Sequence, residues 1–384
     1  MKLHHTLILV IFISSPLFAQ TTDTLKFYSK AFEQERTIFI TTPEFYKYQS
    51  EEVKLPVIYI LDGQHEWFVN PLLNSIKYLQ YTHQIPQAIL VTIPLLDRYK
   101  ECGIKNLTDS SLPLHQFITK EVDEKIKPYH PNEYKVLVGH SFSASFALYS
   151  YLKAPSYYSA IIANTPLDSF KEMVMAFEND KSIDKSKISI SIGGNAENED
   201  FYHRKSFDTL KSNFPLFFDS ISIFIADKSG HTAVPIVTNP YLLTKLFAKF
   251  KDRYSGLAKV NDEYLLVTQP NSVNEELSKI ENASKVGDYF YPPEIADLNG
   301  LASRYLYSDL NLYGIAVYEM AVKYYPKYYD FHLQLYELYL PTNIQSAKNH
   351  LDKAYELLNT VENDLPEKQE ELINIHNEKK KNGW

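Results

Sequence analysis

The sequence predicts an α/β fold, with a mostly parallel central sheet covered by helices on both faces, followed by an all-α region. Three observations support this prediction. Apolar, β-branched runs alternate with segments of helical periodicity from about residue 55 to residue 226. The runs are almost continuously hydrophobic, which is typical of parallel strands buried on both faces. From about Thr268 the periodicity is helical and strand-like runs cease.

The predicted sheet opens with two antiparallel strands. Leu25–Phe32 and Glu35–Thr42 alternate apolar and polar residues, and Glu33-Gln34 suits the turn between them. Buried strands and helices then alternate along the chain. The predicted strands are residues 55–61, 87–94, 134–138, 158–164, 187–193 and 220–226, and the predicted helices include residues 67–81, 114–127 and 201–214. In such a sheet the chemistry is expected at the carboxyl ends of the strands.

The amino terminus has the pattern of a secretory signal peptide. A basic start at Lys2 precedes an apolar run over residues 6–13, and Ala19 suits the position before a cleavage site. The apolar run is too short to span a membrane. We therefore predict a signal peptide over residues 1–20, a periplasmic or secreted protein, and no stable membrane insertion after cleavage. The alternative is an uncleaved anchor.

Composition and missing motifs exclude several classes of protein. A chain of 384 residues with 45% hydrophobic content can build about two domains with proper cores. The net charge of -8 argues against nucleic acid as a partner. Cys102 is the single cysteine, so the chain forms no internal disulfide. The sequence contains none of the zinc, phosphate-binding or dinucleotide motifs, so we predict neither a cofactor nor a metal.

A strand, a sharp turn and a helix are predicted to meet at Gly139–Ser143. These residues match the nucleophile elbow Gly-x-Ser-x-Gly, except that Ser143 replaces the last glycine. The turn is so tight that it needs small residues two places on either side of Ser141, and serine is small enough. This geometry would expose the Ser141 hydroxyl at the end of the sheet. It would also direct the backbone amide of Phe142 at a developing anion.

A serine hydroxyl needs a base, and His231 is the best candidate because it follows the last predicted strand in a Gly-His turn. The alternative is a surface-loop histidine. We interpret His140 as structural support for the elbow. His65 fits either a substrate contact or a surface position. Asp62 precedes a turn glycine, which favours turn formation over catalysis.

A carboxylate must hold the base in the correct tautomer. The acidic segment over residues 195–200 offers Glu197, Glu199 and Asp200, and the alternative is a solvated acidic loop.

Several further motifs occur in the order of a known family. They are Ser29–Phe32, Glu35–Thr37, Tyr59–Gln64, Ile93-Pro94, Asp97-Arg98, Gly139–Phe142, Ser229–His231 and Val234-Pro235. With them, residues from about 25 to 250 resemble the esterase family of α/β-hydrolases, which includes siderophore, feruloyl and acetyl-xylan esterases and S-formylglutathione hydrolase. The chain departs from the family at Ser143, where glycine is usual, and at Glu101, where the family often has aspartate.

The resemblance implies an α/β-hydrolase domain over residues 21–255 with a catalytic triad in the order Ser141, Glu197, His231. Glu197 matches the family's Gly-x-x-Glu after the preceding strand, with Glu199 and Asp200 as the alternatives. The resemblance also implies that the backbone amide of Gln64 joins that of Phe142 as an oxyanion donor.

Residues 268–384 form the predicted all-α region, and part of it fits a tetratricopeptide (TPR) pattern. One copy and a degenerate second copy are carried by Leu298, Leu301, Ala302, Tyr305, Tyr318, Ala321 and Pro326, and by Leu335, Tyr339, Ala347 and Ala354. Two repeats are too few to stand alone. We therefore expect these helices to pack on the hydrolase domain or form a homodimer, with a peptide-binding groove as the alternative.

The sequence thus predicts an exported serine esterase that hydrolyses carboxylic esters through an acyl-enzyme on Ser141. By resemblance, the substrate is a small-molecule or glycan-linked ester, such as that of a siderophore or a polysaccharide. Two alternatives stay open. One is a catalytically silent scaffold that acts through its repeats, and the other is an acyltransferase.

Overall fold

The computed structural model describes residues 21–108, 111–194, 201–362 and 365–384. The described chain divides into two compact units, residues 21–326 and residues 327–384. All the predicted site residues that the structure describes lie in the first unit. The predicted domain boundary between residues 255 and 268 stays a prediction.

Eight strands form one sheet within the described part of the first unit, in the order β1-β2-β4-β3-β5-β6-β7-β8. The pairs β1–β2 and β2–β4 are antiparallel, and all the other pairs are parallel. The predicted mostly parallel sheet is therefore confirmed. The strands are β1 (Thr22–Ser29), β2 (Gln34–Thr41), β3 (Leu55–Ile60), β4 (Ile89–Thr92), β5 (Pro131–His140), β6 (Ala160–Asn164), β7 (Ile188–Gly193) and β8 (Ser222–Ala226).

The entry hairpin turns earlier than the sequence predicts. The predicted turn at Glu33-Gln34 is wrong, because Gln34 already pairs with Ser29 at the end of the two strands. The Ser29 hydroxyl accepts a hydrogen bond from the Phe32 amide at 3.2 Å. Such a local side-chain bond offers the backbone a turn in place of the strand ladder. Phe32 then packs its ring edge-on against Phe117.

Helices cover both faces of this sheet. The helices in the order of the chain are α1 (Glu66–Tyr81), α2 (Arg98–Cys102), α3 (Pro113–Gln116), α4 (Asp123–Ile126), α5 (Phe142–Lys153), α6 (Phe170–Asn179), α7 (Phe201–Asn213), α8 (Pro215–Ser220), α9 (Val234–Leu246) and α10 (Ala248–Lys251). A π-helical segment over Phe117–Val122 joins α3 to α4 within the predicted helix 114–127.

The alternation of side chains along the strands assigns the two faces. Ile58, Ile60, Val136 and Val138 share one core with α1 and α9. Their odd-numbered neighbours are equally buried and point to the opposite face, where α5 packs against β5 and β6. The predicted elbow therefore sits between β5 and a helix on the opposite face from α1 and α9.

The rest of the first unit is mainly helical. It contains α11 (Val273–Ala283), a short ribbon of β9 (Lys285–Val286) and β10 (Tyr289–Phe290), α12 (Ile295–Leu306) and α13 (Asn311–Tyr324). Helices α12 and α13 pack together and bury Leu298, Ala302 and Ala321.

The second unit contains α14 (Tyr329–Tyr339), α15 (Ile344–Thr360) and α16 (Lys368–Lys381). Helices α14 and α15 pack together, and Leu335, Ala347 and Ala354 are completely buried. The predicted carboxyl-terminal helical region is confirmed, while its identity as a TPR stays a prediction.

Candidate active site

The turn between β5 and α5 has the backbone of a nucleophile elbow. Ser141 adopts φ 60° and ψ -117°, a conformation that costs a non-glycine residue roughly 1–3 kcal/mol. Its amide donates to the carbonyl of Asn164 at 2.8 Å. A Cβ atom on Gly139 would lie 2.4 Å from the carbonyl oxygen of Ser143, so only glycine fits there. A strained serine held in this way indicates a functional site.

Ser143 occupies the place of the motif's last glycine and makes specific hydrogen bonds. Its hydroxyl accepts from the His140 amide at 2.8 Å and donates to Oδ2 of Asp62 at 2.5 Å. The side chain is completely buried. Serine is therefore small enough for this tight turn, and its hydroxyl also makes two hydrogen bonds there.

The two predicted oxyanion donors lie at the carboxyl ends of adjacent strands. Phe142 begins α5, so its amide has no helical partner. Gln64 follows β3, and its side-chain Oε1 accepts from the Leu95 amide at 2.8 Å, which anchors the loop to the chain after β4. Within the described residues, neither the Gln64 nor the Phe142 amide donates a hydrogen bond. Both amides are thus available to an anion.

His231 comes to the same rim of the sheet. Its ring centroid is 4.7 Å from that of His140, the residue directly before Ser141, and 5.5 Å from that of His203. His140 Nε2–H donates to the His231 carbonyl at 3.0 Å, and its ring stacks on Phe68. His140 is buried, and its hydrogen bond to the His231 carbonyl holds the loop that carries His231. This agrees with the predicted supporting role of His140.

Burial is the main cause of the lowered pKa of the His231 and His140 imidazoles. It lowers the pKa of His231 from 6.5 to about 4, with the rings of His140 and His203 adding to the effect. The pKa of His140 is also lowered to about 4 by burial, partly opposed by its bond to the His231 carbonyl. Both imidazoles are therefore neutral near pH 7, the state that a general base requires.

The predicted triad acid lies outside the described residues, because Glu197, Glu199 and Asp200 all fall in the segment 195–200. The residue before that segment contacts the His231 loop. The Gly194 amide donates to the Ser229 carbonyl at 3.0 Å. A Cβ atom on Gly193 would lie 2.4 Å from the same oxygen. Gly194, the last described residue before the acidic segment, therefore lies next to the chain that leads to His231.

Asp62 has a role that the sequence does not reveal. Its carboxylate is buried and pairs with Arg98, whose Nε lies 2.6 Å from Oδ1. Arg98 Nη2 also donates to the His140 carbonyl at 2.6 Å. The turn before Gly63 is formed as predicted, with Asp62 at φ 60°. The Asp-Arg spacing of 36 residues gives no local signal, so only the sheet order could place them together.

Asn164 is a second buried polar centre that sequence reasoning missed. Its side-chain amide donates to the Gly139 carbonyl at 3.1 Å. Its Oδ1 accepts from the hydroxyls of Ser191 at 2.7 Å and Thr238 at 3.0 Å. Asn164 therefore connects the elbow strand to β7 and α9 from beneath the site.

An apolar cavity of about 200 Å³ lies beside the histidines, between α1 and α9. The rings of Trp67 and Phe68, which line it, are centred within 6 Å of the His140 ring, and Thr232 follows His231. The lining residues are Trp67, Phe68, Pro71, Leu72, Ser75, Thr232, Pro235, Ile236 and Asn239. A cavity of about 150 Å³ can hold a benzene ring, so this one has room for an aryl or branched alkyl group.

The described residues contain no group of three or more His, Cys, Asp and Glu side chains that could hold a metal ion. Similarly, none of the described helices is long and apolar enough to cross a membrane.

The sheet order and the strained elbow after β5 define an α/β-hydrolase fold. Residues 29–211 match the model of the Esterase family, described as putative esterase. The predicted resemblance to the esterase family is thereby confirmed for this part of the chain, which includes Ser141 and ends before His231. No curated protein matches the sequence.

Many solved structures are similar to this chain, and two of them show the extent of the likeness. An IroE-like serine hydrolase from Shewanella oneidensis has a TM-score of 0.56 and 18% identity, covering 78% of this chain and 98% of its own. An uncharacterised protein from Capnocytophaga ochracea has a TM-score of 0.54 and 14% identity, covering 93% and 99%. At such low identities these structures show the shared fold, and the family match is what supports an esterase.

Proposed function

We propose that this protein is an exported serine esterase that hydrolyses carboxylic esters through an acyl-enzyme on Ser141. The observation that carries the proposal is the strained backbone of Ser141, next to a helix amide and on the same rim as His231. The family match supports ester hydrolysis. The description of one structural neighbour as a serine hydrolase supports the choice of nucleophile.

The proposed reaction has two steps, which are the formation of the acyl-enzyme on Ser141 and its hydrolysis by water. Ser141 Oγ attacks the ester carbonyl carbon and gives its proton to the His231 imidazole. The resulting oxyanion accepts hydrogen bonds from the amides of Gln64 and Phe142. Collapse breaks the bond to the alcohol, which takes the proton from the imidazolium. Water, deprotonated by His231, then attacks the acyl-enzyme. The bond from the acyl carbon to Ser141 Oγ breaks, Oγ takes the proton from the imidazolium, and the acid leaves.

Replacing the nucleophile tests this mechanism. For Ser141→Ala and His231→Asn we expect hydrolysis of p-nitrophenyl butyrate to fall by roughly a factor of 10⁴ or more, because both groups act in every turnover. Initial rates at pH 7.5 measure the effect. His376→Asn, an exposed histidine of the second unit, is the control and should keep the wild-type rate. Equal rates for wild type and Ser141→Ala would favour the scaffold alternative.

The cavity beside His231 narrows the substrate class. Its apolar lining favours an ester with an aryl or branched alkyl group over a small acetyl group. Siderophore and feruloyl-type polysaccharide esters meet this requirement, and the family resemblance includes both. A panel of aryl, acetyl-sugar and cyclic lactone esters ranks them by kcat/KM. Product analysis with and without a sugar or lipid acceptor separates hydrolysis from acyl transfer.

Export and the carboxyl-terminal helices complete the proposal. The signal pattern supports cleavage after Ala19, which cell fractionation and amino-terminal sequencing of the mature protein can test. We further propose that the TPR-like helices serve packing or homodimer formation. Light scattering of the purified protein measures the assembly state. A peptide-binding groove remains the alternative for these helices.

A further inference from the structure

We propose that Ser143, Asp62 and Arg98 form one positioning unit that sets the spacing of the two oxyanion donors. This inference rests on the proposed function. It assigns a role to the residue at which the chain departs from its family. None of the three side chains needs to touch the substrate, so all three are positioning residues.

A single buried carboxylate receives hydrogen bonds from both sides of the oxyanion site. Asp62 Oδ2 accepts from Ser143 Oγ at 2.5 Å, on the helix that begins with Phe142. Asp62 Oδ1 accepts from the Gln64 side chain at 3.3 Å, on the loop that carries the other donor. The Asp62 side chain is about 1% exposed, so water does not compete for these bonds.

Ser143 is the direct connection to the helix. It follows Phe142, so a bond from its hydroxyl to Asp62 fixes the first turn of α5 and the direction of the Phe142 amide. The same hydroxyl accepts from the His140 amide at 2.8 Å and so also connects α5 to the end of β5. A glycine at this position would fit sterically but would remove both bonds.

Arg98 neutralises the carboxylate and connects it to the strand. Its guanidinium makes two bonds to Asp62, at 2.6 and 3.2 Å, and one to the His140 carbonyl at 2.6 Å. A buried carboxylate needs such a partner to remain charged. With Arg98 in place, Asp62 can act as the common acceptor for the two segments that carry the donors.

The loop that presents Arg98 is itself held rigidly. Glu101 Oε1 accepts from the amides of Leu96 and Asp97 at 2.9 and 3.0 Å. The Glu101 carboxylate also forms a buried, two-bond pair with Arg36 of β2, at 2.9 and 2.8 Å. Glu101 thus connects the chain that presents Arg98 to β2, at the antiparallel edge of the sheet. The sheet therefore fixes the position of Arg98 in the positioning unit.

The proposed ester hydrolysis requires such positioning residues, because an oxyanion donor stabilises the transition state only when its N–H points at the developing oxyanion. Removing one donor typically slows turnover by 10² to 10³, and displacement of a donor loses part of that factor. An interaction that improves only the transition state changes kcat and leaves KM nearly constant. A residue that merely stabilises the fold would lower the melting temperature without that kinetic signature.

Ser143→Ala tests the unit with minimal change, since only the hydroxyl is lost. We expect kcat for p-nitrophenyl butyrate to fall by about 10- to 100-fold, with KM within about twofold. Affinity for a trifluoromethyl ketone, which forms a tetrahedral adduct on Ser141, should fall by the same factor as kcat/KM. Ser143→Gly, which restores the family's residue, should lose activity in the same way.

Ser150→Ala is the matched control. Ser150 is also a completely buried, hydrogen-bonded serine of α5, paired with Tyr158 and His115 away from the elbow. This variant should lower the melting temperature as much as Ser143→Ala but keep kcat. Unchanged kcat in Ser143→Ala, or an equal loss in Ser150→Ala, would overturn the positioning role.

A double variant tests whether the residues act as a unit. If the Ser143 hydroxyl works through Asp62, then Asp62→Ala, which removes the acceptor, combined with Ser143→Ala should be no slower than Asp62→Ala alone. Losses that multiply would show two independent effects and refute the unit. Ser141→Ala is measured in the same assay. If it matches the wild type, the proposed function fails, and this inference fails with it.

Discussion

The described groups around the imidazole of His231 oppose its protonation. Burial contributes most, followed by the rings of His140 and His203 and the guanidinium of Arg98. Together they lower its pKa to about 4 from the usual 6.5. Because a base must be unprotonated to accept the Ser141 proton, activity should be present above this pKa and be lost as the pH falls through it.

The first prediction is that kcat/KM for p-nitrophenyl butyrate stays nearly constant from pH 8 down to about pH 5 and falls only near pH 4. Initial rates in overlapping buffers measure the profile. Samples held at each pH and assayed at pH 7.5 control for unfolding. An acid limb centred near pH 6.5 would show that a carboxylate outside these groups offsets the effect of burial on His231.

The second prediction concerns the carboxylate partner of His231. Because the resemblance implies that Glu197 is the triad acid, Glu197→Gln should lower kcat by about 10⁴, since the imidazole would lose the group that sets its tautomer. Glu199→Gln and Asp200→Asn should stay within about tenfold of the wild type, since a carboxylate that does not bond to the imidazole contributes little. The same ester assay compares the three variants. A reversed ranking would move the triad acid to another residue of the segment.

At the scale of elements, close backbone contacts fix where each functional loop leaves the sheet. Gly63 lies so near the chain after β4 that a Cβ atom would approach the Pro94 nitrogen to 2.7 Å. Gly139 similarly meets the Ser143 carbonyl, and Gly193 meets the Ser229 carbonyl. Each glycine ends a strand or follows it closely, so the loops bearing Gln64, Ser141 and His231 have little freedom.

The third prediction is that Gly193→Ala lowers kcat by roughly 100-fold, because the new Cβ displaces the segment that leads to His231. Gly256→Ala is its matched control, since a Cβ there meets nothing within 4 Å. Circular dichroism verifies that both variants fold. Full activity in Gly193→Ala would mean that the His231 loop tolerates the shift.

At the scale of the molecule, buried neutral histidines make stability depend on pH. Burial also lowers the pKa of His115 to about 4, assisted by Lys153 and Lys120. The unfolded chain takes up a proton near pH 6.5, while the folded chain does so only near pH 4. The contribution of such a group is therefore fully present above pH 6.5 and is lost as the pH falls towards 4.

The fourth prediction uses His115, which is buried against Ser150 and lies away from the elbow. Between pH 7 and pH 5 the free energy of unfolding should fall less in His115→Gln than in the wild type, by roughly 2 kcal/mol. Urea titrations at the two pH values measure this difference. An identical pH dependence in both proteins would show that His115 is protonated alike in the folded and unfolded states.

Much of the fold could be predicted because its signals are local. The apolar runs of β3 to β8 and the break at Gly139–Ser143 are visible within windows of about ten residues. The hairpin turn was misplaced because the Ser29–Phe32 bond competes with strand pairing. The end of the first compact unit at Pro326 could not be predicted from the sequence either, because the contacts that define a unit join residues far apart in the chain.

The sequence by itself determined the α/β class and the elbow at Ser141, because periodicity and turn chemistry act between near neighbours, and its motifs showed the resemblance to the esterase family. Only the tertiary structure decided that Asp62, Arg98 and Ser143 share one buried network and that His231 comes to rest beside His140. These residues are 36 to 91 positions apart. Their meeting depends on the order in which the strands enter the sheet, and no short stretch of sequence carries that information.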